Sequence, residues 1–155
     1  MKQATRVLRA GLPEIKQGAP FLPGPTFAGT YHLSGDPSSS AYAYGRYHNP
    51  TWTAYENAIT ELEGGTATII YSSGMAAVTA ILGAILKSGD RLVMPSDAYF
   101  AARMVANGFF ATLGLEVQLA PTAGNAQKAL LAGAKLLWLE SPSNPGLDVC
   151  DISDL

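Results

Sequence analysis

The amino-acid sequence predicts an α/β fold with a mostly parallel sheet. Beyond residue 65, short β-branched or apolar runs alternate with helical patterns, and such alternation is typical of crossover connections between parallel strands. The chain has 155 residues, 48% of them apolar, which is enough for one sizeable core. Four strands are predicted, at residues 66–71, 91–94, 115–119 and 135–140.

Residues 11–49 follow neither a helical nor a strand period, and they predict an extended arm. Prolines recur along this segment and bias the residues before them away from helix. Its aromatic residues argue against free disorder, because they need a surface on which to bury. We therefore expect an N-terminal arm over residues 1–50 that lies on a partner subunit.

The first predicted helix follows Pro50, where Trp52, Tyr55, Ile59 and Leu62 fall at helical spacing. Thr51 is its predicted cap, and the glycines at 64–65 end it. After the strand at 66–71, residues 75–87 form a pattern that is apolar nearly all round. This pattern predicts a helix buried on most sides.

The elements after residue 90 continue the alternation. The strand at 91–94 precedes a helix over 97–113 that Gly108 weakens. The strand at 115–119 alternates apolar and polar residues, as an edge strand or a half-covered strand would. Asn125 is the predicted cap of a short helix over 126–132. After the last strand, residues 148–155 resemble the opening of another helix.

Composition excludes several classes of protein. A net charge of −2 with 14% charged residues fits neither a basic nucleic-acid-binding module nor a disordered acidic chain. The single cysteine cannot form an intrachain disulfide. The longest apolar run is too short to span a bilayer, and the first residues lack a signal-peptide core. We expect a cytoplasmic protein with no nucleic-acid or membrane partner.

Three stretches should meet at the carboxyl edge of the sheet, where α/β proteins bind ligands: residues 72–75, 95–99 and 140–145. Ser73, Gly74 and Met75 open a helix, so their N–H groups suit a phosphate, although an ordinary Ser-capped helix start has the same pattern. No dinucleotide or P-loop glycine motif is present.

Four other side chains are candidates at the site. Tyr99 could lie against a planar ligand or move a proton, or it could simply pack in the core. Asn144 and Glu140 could face a ligand or serve turn and strand ends. His32 and His48 have no partners at metal-ligand spacing, so no metal site is expected.

Tyr44 and Arg46 lie two residues apart in the predicted arm. In an extended segment both side chains point to the same side, where an Arg–Tyr pair suits a phosphate dianion. The alternative is a surface arginine stacked on an aromatic ring.

Taken together, these motifs resemble the Cys/Met-metabolism family of pyridoxal-phosphate (PLP) enzymes, which includes cystathionine γ-lyase and cystathionine γ-synthase. The resemblance runs from about residue 4 to the end of the chain, and is carried by YAYGRYHNPT at 42–51, LEGG at 62–65, SSGMAA at 72–77, KSGD at 87–90 and LESPSNP at 139–145. It implies a type I PLP-dependent transferase fold of the aspartate aminotransferase kind, with residues 51–155 as part of the cofactor domain.

The resemblance also implies roles at the cofactor. Ser73, Gly74 and Met75 would bind the PLP phosphate, and Tyr44 and Arg46 would reach it from an identical neighbouring subunit of a dimer or tetramer. Tyr99 would be the catalytic residue stacked on the ring, with Glu140 and Asn144 beside the cofactor. The implied activity is a carbon–sulfur lyase that eliminates a γ substituent from an amino-acid substrate such as cystathionine through an external aldimine.

Departures from the family pattern limit this expectation. The lysines at 2, 16, 87, 128 and 135 do not stand in the family's Ser-x-x-Lys context, so we expect the Schiff-base lysine to lie outside this chain and the chain alone to be inactive. Phe100-Ala101 replaces a usual Gly-Gly pair and should narrow the wall behind the ring. His48 replaces a usual glycine.

The expected activity has alternatives. Cystathionine γ-synthase, which replaces an O-acyl group by cysteine, is one of the same class. Another is a truncated, non-catalytic chain that associates with a full-length subunit, and a nucleotide-binding α/β module is a third. The cysteine that methionine γ-lyases carry after the stacking tyrosine is absent, which disfavours that activity.

Overall fold

The computed structural model describes residues 2–27 and 29–155, in two compact units, Met1–Ile70 and Tyr71–Leu155. Met1 and Ala28, which the predicted arm includes, lie outside the described residues. No helix in the described part of the chain combines the length and apolar character that crossing a bilayer requires.

The first unit holds two α-helices, α1 at Gln3–Val7 and α2 at Pro50–Glu63. Helix α2 confirms the helical spacing, and Gly64 ends it in the left-handed conformation with φ of 67°. The predicted cap is wrong by two residues. The Asn49 side chain accepts a hydrogen bond from the Thr51 backbone N–H, and Pro50 occupies the first helical position, where its missing N–H is not needed.

Between the two helices the chain has little regular structure, as its prolines predict. It contains a 3-10 turn at Pro37–Ser39 and an isolated antiparallel bridge between Thr30 and Tyr44. Asn49, which is 8% exposed, donates from Nδ2 to the Thr26 carbonyl oxygen over 2.9 Å. This bond ties the segment to the start of α2.

The strand predicted at residues 66–71 is wrong. These residues pair with no strand in the described ranges 2–27 and 29–155, and Ile69 is 71% exposed. The Ile70 N–H instead donates to Oε1 of Glu56 over 3.0 Å. A β-branched run favours an extended backbone, but it becomes a strand only when a neighbouring strand supplies hydrogen-bond partners.

The second unit contains a parallel sheet whose strand order is β2-β1-β3. Strand β1 spans Arg91–Pro95, β2 spans Glu116–Ala120 and β3 spans Leu136–Leu137. The parallel arrangement and the edge position of β2 confirm the prediction. The described residues of this unit form three strands rather than four, and β3 is much shorter than predicted.

The same unit contains two α-helices, α3 at Gly74–Ile85 and α4 at Phe100–Val105, whose residues share a core with the sheet. A π-helical turn at Ala106–Phe110 continues α4 and contains Gly108. The core gathers apolar residues from the helices and strands: Leu82, Leu86, Leu92, Met94, Ala98, Ala102, Ala106, Phe110 and Leu115. Helix α3 is less buried than predicted, since Ile81 and Ile85 are 37% and 43% exposed.

Two further predictions of helix are wrong. Asn125 does not cap a helix but adopts a left-handed φ of 53° inside a kinked 3-10 segment at Ala123–Leu130. Its Oδ1 accepts from the Asp151 N–H over 2.9 Å, and its Nδ2 donates to Oδ2 of Asp154 over 2.7 Å. Residues 148–155 form no helix and are irregular apart from a turn at 152–154, and these bonds hold Asp151 and Asp154 to Asn125.

Candidate functional site

One cavity of about 360 Å³ collects most of the predicted site residues within the second unit. Its lining combines the start of α3 with residues that follow β1 and β3: Ser73, Gly74, Met75, Val78, Tyr99, Ala102, Trp138 and Glu140. The structure thus brings together five of the predicted residues. Asn144 is not in the lining, and Tyr44 and Arg46 belong to the first unit.

The start of α3 presents unpaired backbone donors. Ser73 caps the helix, its Oγ accepting from the Ala76 N–H over 3.1 Å. The N–H groups of Gly74 and Met75 donate to no acceptor in the described part of the chain. Apart from its chain neighbours and the backbone of α3, no atom of the described residues lies within 4 Å of the position that a Cβ on Gly74 would take. Free donors at the positive end of a helix of this length suit an anion.

Tyr99 and Glu140 are joined by a hydrogen bond. The Tyr99 backbone N–H donates to Oε2 of Glu140 over 2.9 Å, so the residue that follows β3 anchors the start of α4. Tyr99 is 47% exposed. Its ring therefore forms a partly open wall against which a planar molecule could lie.

Asp97 is a residue of this region that sequence reasoning did not single out. Its Oδ1 accepts from the Thr122 N–H over 3.0 Å and from the Thr122 hydroxyl over 2.9 Å. Burial raises the pKa of the Asp97 carboxyl, but hydrogen bonds from Thr122 and Ser143 outweigh burial and hold this pKa below its ordinary value. The signal available in the sequence was its place two residues after the end of β1.

Asn144 is connected to the same aspartate through the backbone. Its N–H donates to the Asp97 carbonyl oxygen over 3.1 Å, while the residue itself is exposed. Trp138, also missed from the sequence, lines the cavity, and its backbone N–H donates to the Val93 carbonyl oxygen over 2.8 Å. Phe100, which was expected to narrow the wall, is 63% exposed and is absent from the lining.

Tyr44 and Arg46 are not in an extended segment, because the chain turns between them. The Tyr47 N–H donates to the Tyr44 carbonyl oxygen over 2.9 Å, which closes the turn. The Arg46 guanidinium carbon lies 4.9 Å from the centroid of the Tyr44 ring. Within the first unit the pair has the stacked arrangement that the sequence left open as the alternative, and Arg46 remains exposed.

Charge in the cavity comes from one side chain. Glu140 carries a carboxylate, and no lysine or arginine is in the lining. All the lysines are exposed. In residues 2–27 and 29–155, no group of three or more His, Cys, Asp and Glu side chains is arranged to hold a metal ion. A positively charged side chain that pairs with an anion at the start of α3 would therefore have to come from outside this lining.

Comparison with known proteins relates this site to a family. Residues 17–155 match the model of the family described as Cys/Met metabolism PLP-dependent enzyme. A putative cystathionine gamma-lyase of Streptomyces coelicolor is 52% identical over 97% of this chain and 39% of its own length. The cystathionine gamma-synthase of Escherichia coli K12 is 35% identical over 99% of this chain and 40% of its own length.

The fold agrees with solved structures. Cystathionine gamma synthase from Xanthomonas oryzae pv. oryzae, in complex with aminoacrylate and cysteine, superposes with a TM-score of 0.85 and 32% identity, over 97% of this chain and 40% of that one. The chain therefore spans about two fifths of the length of these relatives. With the family model matching most of its residues, this chain belongs to the Cys/Met-metabolism family of PLP-dependent enzymes.

Proposed function

We propose that these residues form the arm and the first half of the cofactor domain of a PLP-dependent carbon–sulfur lyase that resembles cystathionine γ-lyase and continues beyond them. The observation that carries the proposal is the start of α3, where two unpaired N–H groups border a cavity walled by Tyr99. The similarity to the Streptomyces coelicolor protein favours a lyase.

The residues present fit the PLP phosphate. The Gly74 and Met75 N–H groups would donate to its oxygens, and the open space beside Gly74 leaves room for close approach. The Ser73 Oγ already accepts from the Ala76 N–H, so its hydroxyl proton remains for a phosphate oxygen. A cavity of about 360 Å³ lies within the range of small-molecule sites, about 300–1,000 Å³.

The remaining lining residues fit the ring of the cofactor. The half-exposed Tyr99 would lie against the pyridine face and carry a proton at its phenol oxygen. Glu140 would hold the Tyr99 backbone, and Trp138 would close the wall against water. Asn144 would offer its side-chain amide beside the cofactor and the substrate carboxylate.

A second subunit would complete the charge balance. A phosphate dianion at α3 faces a lining that contains a carboxylate and no cation. The exposed Arg46, with Tyr44, would supply the missing donors from an identical neighbour, which makes a dimer or tetramer the expected assembly.

PLP would supply the electron sink that permits proton removal beside the amino group of a sulfur amino acid. The lysine that carries it would come from the continuation of the chain. The test compares turnover of cystathionine with condensation of O-succinylhomoserine and cysteine by the longer protein. Faster turnover of cystathionine supports the lyase. Faster condensation would identify a γ-synthase, which the similarity to the Escherichia coli enzyme favours as second candidate.

The 155-residue chain by itself provides a separate test. If the Schiff-base lysine lies outside it, borohydride treatment after addition of PLP leaves the chain without a specific pyridoxyl-lysine. A single stoichiometric modified lysine, located by mass spectrometry, would refute this part of the proposal. In a separate experiment, mixing the chain with a longer subunit shows whether the chain acts as a non-catalytic partner.

A further inference from the structure

We infer that Asp97 is a positioning residue, which joins the segments after all three strands and thereby sets the places of Tyr99 and Asn144 at the cofactor. The inference rests on the proposed function and assigns a role to a side chain that does not line the cavity. It follows from three connections that meet at this one residue.

The first connection is to the segment after β2. Thr122 is 0% exposed, and both its N–H and its hydroxyl donate to Oδ1 of Asp97. Bulk solvent does not reach the buried Thr122, and the Asp97 carboxylate is the acceptor for both donors. The Ser96 N–H adds a bond to the carbonyl oxygen of Ala120, at the end of β2, over 2.9 Å.

The second connection is to the segment after β3. The Asn144 N–H donates to the Asp97 carbonyl oxygen, and the preceding Ser143 is 1% exposed. The Ser143 hydroxyl oxygen accepts from the Asp148 N–H over 3.0 Å, which keeps the turn closed. Asn144 is therefore held by its backbone, and only its side chain remains free for a ligand.

The third connection runs along the chain to Tyr99. Ala98, between the two residues, is 0% exposed, and its carbonyl oxygen accepts from Nε of Arg103 over 2.9 Å. The Tyr99 N–H is fixed by Glu140. Because hydrogen bonds hold this segment at Ala98 and Tyr99, we expect a shift of the Asp97 carboxylate to be transmitted along the backbone to the Tyr99 ring.

The negative charge of Asp97 strengthens these bonds. Since its pKa is held below the ordinary value, the carboxyl is ionised at neutral pH, and charged acceptors bind N–H and O–H donors more strongly than neutral ones. None of the ion pairs among the described residues involves the Asp97 carboxylate. Its function is therefore to accept hydrogen bonds from the two neighbouring segments.

The test uses the longer PLP-loaded protein and three variants. Thr122→Val removes the hydroxyl at nearly constant shape, Thr122→Ser restores it, and Asp97→Asn removes the charge. We expect Thr122→Val and Asp97→Asn to change the visible circular dichroism of bound PLP and to lower kcat roughly tenfold to a hundredfold, because misplaced reacting groups lose rate. Thr122→Ser should restore both, and KM should change less than kcat.

Asp154→Asn is the matched control, because Asp154 also accepts side-chain hydrogen bonds, but from Asn125 and Lys128 rather than from the segments that carry Tyr99 and Asn144. Its dichroism should equal that of the wild type. If Asp97→Asn does not fold, Thr122→Val decides, since it keeps the Thr122 N–H bond. Normal PLP binding with unchanged dichroism in Thr122→Val overturns the inference about Asp97 but leaves the proposed function intact. A wild-type protein that binds no PLP overturns the proposed function, and the inference with it.

Discussion

The backbone N–H of Tyr99 donates to the Glu140 carboxylate over 2.9 Å, and so the end of one parallel strand fixes the start of the helix that follows another. Glu140 lines the cavity, but one of its oxygens is occupied by this bond. The acid is therefore an anchor for the tyrosine as well as a wall of the site. Its charge and its hydrogen bond have opposite consequences for an anionic ligand.

Replacing Glu140 separates these two effects. Glu140→Gln keeps a carbonyl oxygen for the Tyr99 N–H but removes a negative charge from the cavity in which we propose that the phosphate binds, so PLP affinity should be equal or higher. Glu140→Ala removes the bond as well and should lower the free energy of unfolding by about 1–2 kcal/mol. PLP titration by fluorescence and urea unfolding measure the two quantities. Equal loss of stability in both variants would contradict the anchoring role.

Ser73→Ala tests the start of α3. Loss of the side-chain oxygen leaves the Ala76 N–H without its cap, and we expect a loss of about 1 kcal/mol in stability together with weaker PLP binding. Ser73→Thr retains the hydroxyl and serves as the control. Thermal unfolding and PLP titration are the measurements. Unchanged PLP affinity in Ser73→Ala would show that the hydroxyl does not reach the phosphate.

The sequence predicted the parts of this site that follow from local pattern. A serine, a glycine and an apolar run are sufficient to predict a capped helix start, and α3 begins there. Tyr99 was found because it follows a predicted strand, and Glu140 because it ends one. Their mutual hydrogen bond was not predictable, because it depends on how two distant segments meet. The contacts of Asp97 with Thr122 and of Trp138 with the cavity depend on such meetings too.

Other errors arose where tertiary contacts override local preference. Asn125 has the residue type of a helix cap, but its side chain binds Asp151 and Asp154, which lie far along the chain. Residues 66–71 have strand composition without a pairing strand in the described residues. The Tyr44–Arg46 spacing predicted a common side only for an extended backbone, and the turn at residues 45–47 changes that geometry.

Arg46→Ala should weaken PLP retention by roughly 1.5–3 kcal/mol, the contribution of a charge-assisted hydrogen bond. Arg46→Lys keeps the charge but not the two-pronged geometry, and an intermediate loss is expected. Equilibrium dialysis of PLP measures the change, with light scattering to establish the oligomeric state. An unaltered affinity in Arg46→Ala, or a monomer with bound cofactor, would refute the role of the neighbouring subunit.

Acid should destabilise the protein in part through Asp97. The folded-state pKa of Asp97 is below the ordinary value of 3.8. Its contribution to the free energy of unfolding is therefore complete above pH 3.8 and is lost as pH falls through the folded-state pKa. Asp97→Asn should remove this contribution, so that the free energy of unfolding depends less on pH in the acid range. Thr122→Val should shift the loss to higher pH, because one bond to the carboxylate is gone. Urea unfolding at several pH values measures both, and parallel curves for wild type and Asp97→Asn would contradict the assignment.

Gly11→Ala tests how closely the N-terminal segment approaches α2. Gly11 has φ of 73°, and a Cβ there would lie 2.6 Å from the Ala54 carbonyl oxygen and 2.8 Å from the Ala58 Cβ. Gly18→Ala is the control, since Gly18 has φ of 80° but, apart from its chain neighbours, no atom of the described residues lies within 4 Å of its added Cβ. Both variants should lose roughly 1–2 kcal/mol from the left-handed backbone. Gly11→Ala should lose about 1–3 kcal/mol more from the clash, because the backbone of a helix cannot move aside as a flexible side chain can. Equal midpoints of urea unfolding for the two variants would show that this approach is absent in solution.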